Sequence, residues 1–88
     1  MNSQYEIEFR HSVKKDLKKI PPINISIIFS AIEELAHNPY PSGVAKLTDT
    51  ESYYRIRVGD YRVIYEISKN EHKIIISYIR HRKTAYNI

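Results

Sequence analysis

Two alternating segments on either side of Gly59-Asp60 constrain the fold of this chain more than any other feature. Apolar side chains occupy every second position in both segments, which is the period of a half-buried β-strand. A two-residue loop with Gly at its first position favours a type II′ turn and a tight antiparallel hairpin. Such a turn also fixes the register of the two strands. The predicted apolar pairs are Val58 with Tyr61, Ile56 with Val63 and Tyr54 with Tyr65.

The other face of this predicted hairpin is basic. The same register places Arg57 directly opposite Arg62, with Arg55 two residues along the same face. Like charges that face each other across an antiparallel pair are destabilising. A polyanion bound across the pair would offset that cost, whereas side chains that splay into water would only have it screened. The hairpin therefore indicates either a phosphate-binding surface or a solvated one.

The segments before the hairpin predict one strand and two helices. Alternation over residues 5–10 indicates a strand, and the helical spacing that follows indicates a short helix that Ser12 caps. Pro21-Pro22 ends this helix, and Pro22 suits the first turn of the next one. The apolar stripe of that second helix runs from Ile25 to Ala36.

The segments after the hairpin complete a single domain over residues 1–88. A turn over 69–72 precedes a strand over 73–79 that carries apolar groups on both faces, as central strands do. For the same reason its register cannot be deduced from the pattern. We expect an α+β fold: an N-terminal strand, a helical hairpin, and three antiparallel strands in a curved sheet with both helices on one face.

Composition restricts the class of protein further. The chain has 88 residues, a net charge of +4 and no Cys, which excludes disulfides and thiolate metal sites. Its His residues do not show ligand spacing, so we expect no metal. No apolar run approaches the roughly 20 residues that span a bilayer, and residues 1–4 lack the features of a signal peptide, so we expect a cytoplasmic protein. The positive excess lies entirely in residues 45–88, with nine Lys/Arg against five Asp/Glu.

The C-terminal stretch adds a second polar cluster. It contains Arg80, His81, Arg82, Lys83 and Tyr86. This cluster and the run YRIRVGDYRVIY over residues 54–65 together resemble the RelE branch of the RelE/ParE toxin superfamily. The resemblance covers nearly the whole chain, including the Lys46-Leu47 pair before the strands.

The resemblance implies a function. In RelE-like toxins the concave face of the sheet holds messenger RNA in the ribosomal A site, where a 2′-hydroxyl attacks the adjacent phosphate. The products are a cyclic phosphate and a free 5′-hydroxyl, and no cofactor takes part. We therefore expect the toxin of a type II toxin–antitoxin system, a metal-independent mRNA endonuclease that inhibits translation. The implied partners are the ribosome, mRNA and a cognate antitoxin, with operator DNA reached only through the antitoxin.

The resemblance also assigns roles to residues of both clusters. Arg62 matches the phosphate-binding Arg of the family, Arg82 its C-terminal catalytic Arg and Tyr86 its Tyr. Arg55 and Arg57 occupy its basic strand positions. A guanidinium suits these roles because it grips a phosphate with two hydrogen bonds and stabilises charge that develops in the transition state.

Proton transfer requires a base for the 2′-hydroxyl and an acid for the leaving 5′-oxygen. Tyr86 can act as the base if neighbouring cations lower its pKa from about 10. Arg gives up protons too reluctantly to serve as the acid, so we assign that role to His81. Arg80 stands where many relatives have Gly. We expect Lys46, Arg80 and Lys83 to contact RNA or phosphate.

Two other functions remain open at the level of sequence. Relatives that poison DNA gyrase share this scaffold, so a ParE-like gyrase inhibitor is one alternative. A catalytically inactive RNA-binding or regulatory relative is the other. The arginine-rich hairpin face and Tyr86 favour the nuclease, because a pure inhibitor does not need them.

Overall fold

A computed structural model describes residues 4–47 and 52–83 of the chain. Its elements, in chain order, are strand Glu6–Phe9 (β1), helices His11–Leu17 (α1) and Pro22–His37 (α2), and strands Ala45–Lys46 (β2), Tyr53–Val58 (β3), Tyr61–Ser68 (β4) and Lys73–His81 (β5). The strands form one open sheet in the order β1-β5-β4-β3-β2, in which β1 runs parallel to β5 and the other pairs are antiparallel. The predicted α+β class and element order are confirmed.

The β3–β4 hairpin has the predicted register. Val58 pairs with Tyr61, Ile56 with Val63 and Tyr54 with Tyr65. Gly59 has a φ of 60°, a left-handed value that the first position of a type II′ turn requires. Of these apolar residues, Val63 and Tyr65 are fully buried. The alternating pattern therefore marks the side of the sheet that faces the core.

Both helices pack on that same side, which we call the helix face. The second helix begins at Pro22, as predicted, and buries Ile28, Ile32 and Leu35. Together with Val13 of α1 they form one hydrophobic cluster with the apolar residues of β3, β4 and β5. The opposite side of the sheet carries the basic residues, and we call it the open face. Within the described ranges, neither helix is long and apolar enough to cross a membrane.

Three features differ from the expectation. The sheet contains β2, whose two residues are too few to show alternation, and a parallel pair between β1 and β5. Ser12 was predicted to cap α1, and this is wrong. Arg10 holds the N-cap position and its side chain does not cap the helix, whereas the Ser12 hydroxyl donates to the carbonyl oxygen of Ser77 at 2.6 Å. The Ser12 hydroxyl therefore binds the backbone at the edge of β5 and does not cap α1.

A bulge in β5 determines which residues face which side. Ile64 pairs with Tyr78, but the next residue of β4, Tyr65, pairs with Ile76, so Ser77 is an extra residue. One extra residue reverses the alternation of side chains beyond it. Consequently Ile79 points into the core, where it is 1% exposed, and Arg80 points to the open face.

Candidate nucleic-acid interface

Three arginines lie side by side across the open face. Arg62 in β4 is directly opposite Arg57 in β3 and directly opposite Arg80 in β5. We call this set the arginine row. Directly opposite side chains start from Cβ atoms about 5 Å apart, so three positive charges share a strip about 10 Å wide at its base. The predicted pairing of Arg57 with Arg62 is confirmed, and Arg80 extends it.

Arg55 lies two residues from Arg57 on the same face of β3 and is directly opposite Ile64 in β4. Its Nε atom is buried and has no hydrogen-bond partner within the described ranges. Burial lowers the pKa of Arg55, and the charges of Arg57 and Arg62 lower it further. The guanidinium still remains protonated, because arginine does not lose its proton in proteins. The position of this guanidinium is therefore unfavourable for folding.

Arg82, in the segment that follows β5, lies beside the arginine row. Its backbone N–H donates to the carbonyl oxygen of Asp60 at 2.8 Å, and its Nε atom lies 3.8 Å from Asp60 Oδ1. A cleft of about 180 Å³ next to the Gly59-Asp60 turn is lined by Arg57, Arg62 and Arg82. Arg62 and Arg82 are 20 residues apart in sequence, yet they meet at one end of the sheet, where both can bind one phosphate.

Arg80 is held from two directions. Its Nε atom lies 3.1 Å from Oδ1 of Asp16, which projects from α1. Its guanidinium carbon lies 4.7 Å from the centre of the Tyr78 ring, at cation–π distance. The side chain of Arg80 is 33% exposed and that of Asp16 only 7%. The guanidinium therefore has a defined position at the end of the arginine row.

Two of the predicted site residues lie on the helix face instead. His81 is directly opposite Tyr61, and the two rings meet edge to face with their centres 5.3 Å apart. The Nδ1 atom of His81 accepts a hydrogen bond from the backbone N–H of Lys83 at 3.2 Å. Lys46 is directly opposite Tyr54 and shares its side of the sheet. The structure therefore separates His81 and Lys46 from the arginine row.

The remaining predicted residues lie at the end of the described chain. Lys83 is exposed just beyond β5. Tyr86 lies outside the described residues. No three His, Asp or Glu side chains are grouped within residues 4–47 and 52–83 so that they could hold a metal ion.

Asp16 is a residue of this site that the sequence reasoning missed. It is buried, at 6% exposure, and it binds both the backbone and a side chain of β5. Its position did contain a signal. It follows Val13 by three residues and precedes Ile20 by four, so an acidic side chain occupies the apolar side of α1. A charge in such a position is retained in the core only with a partner.

Solved structures share this architecture. The RelE–RelB complex of Pyrococcus horikoshii contains a chain that superposes with a TM-score of 0.79 at 29% identity, covering 92% of this chain and 98% of that one. An isolated RelE toxin of Escherichia coli, at only 17% identity, has the same fold with a TM-score of 0.77, covering 94% of this chain and 92% of that one. Two helices on one side of an open, mixed five-stranded sheet thus give this chain the RelE-like toxin fold.

The family follows from the sequence comparison. A family model described as the ParE toxin of the type II toxin–antitoxin system parDE matches residues 7–86. The RelE3 toxin of Methanocaldococcus jannaschii is 34% identical over 86 residues, covering 93% of this chain and 96% of that protein. The chain belongs to the RelE/ParE superfamily as a RelE-like toxin of a type II toxin–antitoxin system.

Proposed function

We propose that this toxin is a metal-independent endoribonuclease that cuts messenger RNA on the ribosome and thereby inhibits translation. The observation that carries the proposal is the arginine row with the adjoining cleft. Arg57, Arg62 and Arg82 line a space beside the hairpin turn, where a single phosphate can contact more than one guanidinium. Like charges in such an arrangement oppose folding, and an RNA backbone would offset the repulsion.

The chemistry proposed for this surface is an internal phosphoryl transfer. The 2′-oxygen of one nucleotide forms a bond to the adjacent phosphorus while the bond to the 5′-oxygen of the next nucleotide breaks. The products are a 2′,3′-cyclic phosphate and a free 5′-hydroxyl. Arg62 and Arg82 would stabilise the charge that builds on the phosphate oxygens in the transition state. Because guanidinium groups supply this positive charge, the reaction needs no metal ion.

The proton transfers are assigned to fewer groups than the sequence suggested. We keep Tyr86 as the proposed base, activated by the arginines nearby in the sequence. We withdraw His81 as the proposed acid, because it lies on the helix face against Tyr61. The leaving 5′-oxygen would then take its proton from solvent or from a group that the ribosome supplies.

The proposed partners follow from the class of protein. Relatives of this chain have been crystallised as RelE–RelB complexes, which supports a cognate antitoxin as the protein partner here. The positive charge of the C-terminal half favours an acidic antitoxin segment, either an amphipathic helix or an added strand. Contact with operator DNA would occur only through the antitoxin. We place the active toxin in the cytoplasm, where ribosomes and mRNA are found.

The test is to map RNA ends after brief expression of the toxin without its antitoxin. We expect growth arrest and new ends with a 5′-hydroxyl on ribosome-bound transcripts, and neither for the Arg62→Ala variant. The ParE description of the family model keeps a gyrase-directed toxin as the competing function. Growth arrest with no new RNA ends, together with inhibition of DNA supercoiling by purified toxin, would refute the nuclease.

A further inference from the structure

Asp16 is the one charged side chain that is buried within the described ranges. Both of its oxygens are used. Oδ2 accepts a hydrogen bond from the backbone N–H of Ile79 at 2.9 Å, and Oδ1 accepts one from Arg80 Nε at 3.1 Å. Removing a carboxylate from water is costly unless its partners are well placed. A neutral amide oxygen could still accept from the Ile79 N–H, although more weakly, whereas only a carboxylate can form an ion pair with Arg80.

Arg80 needs a countercharge to stay where it is. It lies directly opposite Arg62, which in turn lies directly opposite Arg57. Repulsion within the arginine row favours rotamers that carry Arg80 away from the other two. Asp16 limits this freedom by binding Nε at the outer edge of β5, while the Tyr78 ring supports the guanidinium at 4.7 Å, so Arg80 keeps one defined position on the open face. Of the three Arg80 nitrogens, Asp16 binds only Nε in the described part of the chain, so both Nη groups of Arg80 can still bind an anion.

The same helix also holds the bulge that brings Arg80 to the open face. The parallel strand β1 covers the edge of β5 only as far as Ile76. Beyond that point α1 takes its place, because Ser12 donates to the Ser77 carbonyl oxygen at 2.6 Å and Asp16 accepts from the Ile79 N–H. The first contact is made at the bulged residue itself and the second two residues beyond it. Without the bulge the alternation would place His81 on the open face instead of Arg80.

We propose that Asp16 is a positioning residue that fixes Arg80 in the arginine row, and thereby sets how tightly the toxin holds the RNA phosphate. It acts through Arg80 and does not itself touch RNA. The proposal rests on the proposed function of the arginine row as a phosphate-binding surface. It extends that function to a residue in the first helix, 64 positions away from Arg80 in the sequence.

A double-mutant cycle tests this coupling. The variants are Asp16→Asn, Arg80→Gln and the combination, and the first readout is binding of a short single-stranded RNA with 2′-O-methyl groups, which cannot be cleaved. We expect each single variant to weaken binding by about ten-fold and the double variant to bind no more weakly than Arg80→Gln alone. Single-turnover cleavage on the ribosome should show the same non-additivity.

Glu8→Gln is the matched control. It breaks an ion pair of the same length, 3.1 Å to Lys73, at the other end of the sheet. This variant should bind and cleave RNA as the wild type does. If the effects of Asp16→Asn and Arg80→Gln on RNA binding multiply, or if Asp16→Asn binds as the wild type does, the proposal is overturned. A coupled effect on RNA binding without any cleavage would instead reject the nuclease function and retain Asp16 as a positioning residue.

A measurement on the wild-type protein covers the case in which Asp16→Asn does not fold. The Nε–H proton of Arg80 should exchange with solvent more slowly than that of Arg57, which makes no ion pair within the described ranges. Its protection should persist when the 2′-O-methyl RNA binds, because Asp16 and RNA use different nitrogens. Equal exchange for the two arginines, or loss of protection on RNA binding, would show that Asp16 does not hold Arg80.

Discussion

Arg62 lies directly opposite Arg80, and this pairing exists only because Ser77 is bulged out of the β4–β5 ladder. Two cations in this relationship repel each other, so their juxtaposition costs stability. The cost is partly offset by Asp16, which forms an ion pair with Arg80 at the outer edge of β5. What remains is a strip of positive charge with a small cleft at its end. Such a surface suits the backbone of a nucleic acid.

Arg62→Ala separates function from folding. Removal of the central charge relieves repulsion on both sides, so we expect an unchanged melting temperature or a gain of up to about 1 kcal/mol in the free energy of unfolding. Cleavage of mRNA should fall at least about 100-fold, because a group that stabilises transition-state charge is lost. Thermal unfolding and single-turnover cleavage measure the two effects. Lys69→Ala, in the exposed turn at the far end of β4, is the control and should change neither. A destabilised but active Arg62→Ala variant would make this arginine structural.

His81 and Tyr86 should behave differently when replaced. His81→Gln keeps an acceptor for the Lys83 N–H and lies on the helix face, so we expect the cleavage rate to change by less than about three-fold. Tyr86→Phe removes the proposed base and should slow cleavage by at least about 100-fold while ribosome binding is retained. Single-turnover rates across pH, with binding measured by co-sedimentation, distinguish the two. Cleavage by Tyr86→Phe at the wild-type rate would exclude Tyr86 as the base, and a strong loss in His81→Gln would restore His81 as a candidate.

Two glycines provide a test of the hairpin turn. Gly59 and Gly43 both have positive φ, at 60° and 86°, and an added Cβ would meet no atom within 4 Å at either position. Substitution by Ala should therefore cost about 1–2 kcal/mol at each from backbone strain alone. Gly59 lines the cleft formed by Arg57, Arg62 and Arg82 and Gly43 does not, so Gly59→Ala should reduce cleavage by several-fold more than Gly43→Ala does. Urea unfolding and cleavage rates give both quantities, and equal activity in the two variants would contradict the role of the turn.

Tyr65 links stability to alkaline pH. Its hydroxyl donates to the carbonyl oxygen of Pro39 at 2.7 Å, and burial raises its pKa above the usual 10. Below pH 10 the phenol is protonated in both states, so its contribution to stability is complete. Above pH 10 the unfolded chain releases the proton while the folded one retains it, and the contribution is lost as pH rises towards the folded pKa.

The variant Tyr65→Phe tests this link. It should lose about 1–2 kcal/mol near neutral pH, because the Pro39 carbonyl is left without its donor. The stability difference from wild type should shrink above pH 10. Urea unfolding of both proteins across this range measures it. A difference that stays constant would show that Tyr65 titrates normally.

The local pattern alone determined the hairpin. The Gly59-Asp60 turn leaves only two residues between the strands, so each pair from Val58–Tyr61 to Tyr54–Tyr65 could be derived by counting outward. The same counting placed Arg57 opposite Arg62. These predictions were correct because a tight turn and alternating polarity are short-range properties, which the chain encodes within about a dozen residues.

The tertiary structure alone decided which C-terminal residues join the site. Strand β5 is apolar on both faces, so its pattern does not distinguish Arg80 from His81. The choice depends on the bulge at Ser77, which is held by Ser12 and Asp16 from a helix more than 60 residues earlier in the chain. Hydrogen bonds between such distant segments leave no periodic signal in the sequence. For that reason the arginine row was predicted in part, and its third member was fixed only by the packing of α1 against the edge of β5.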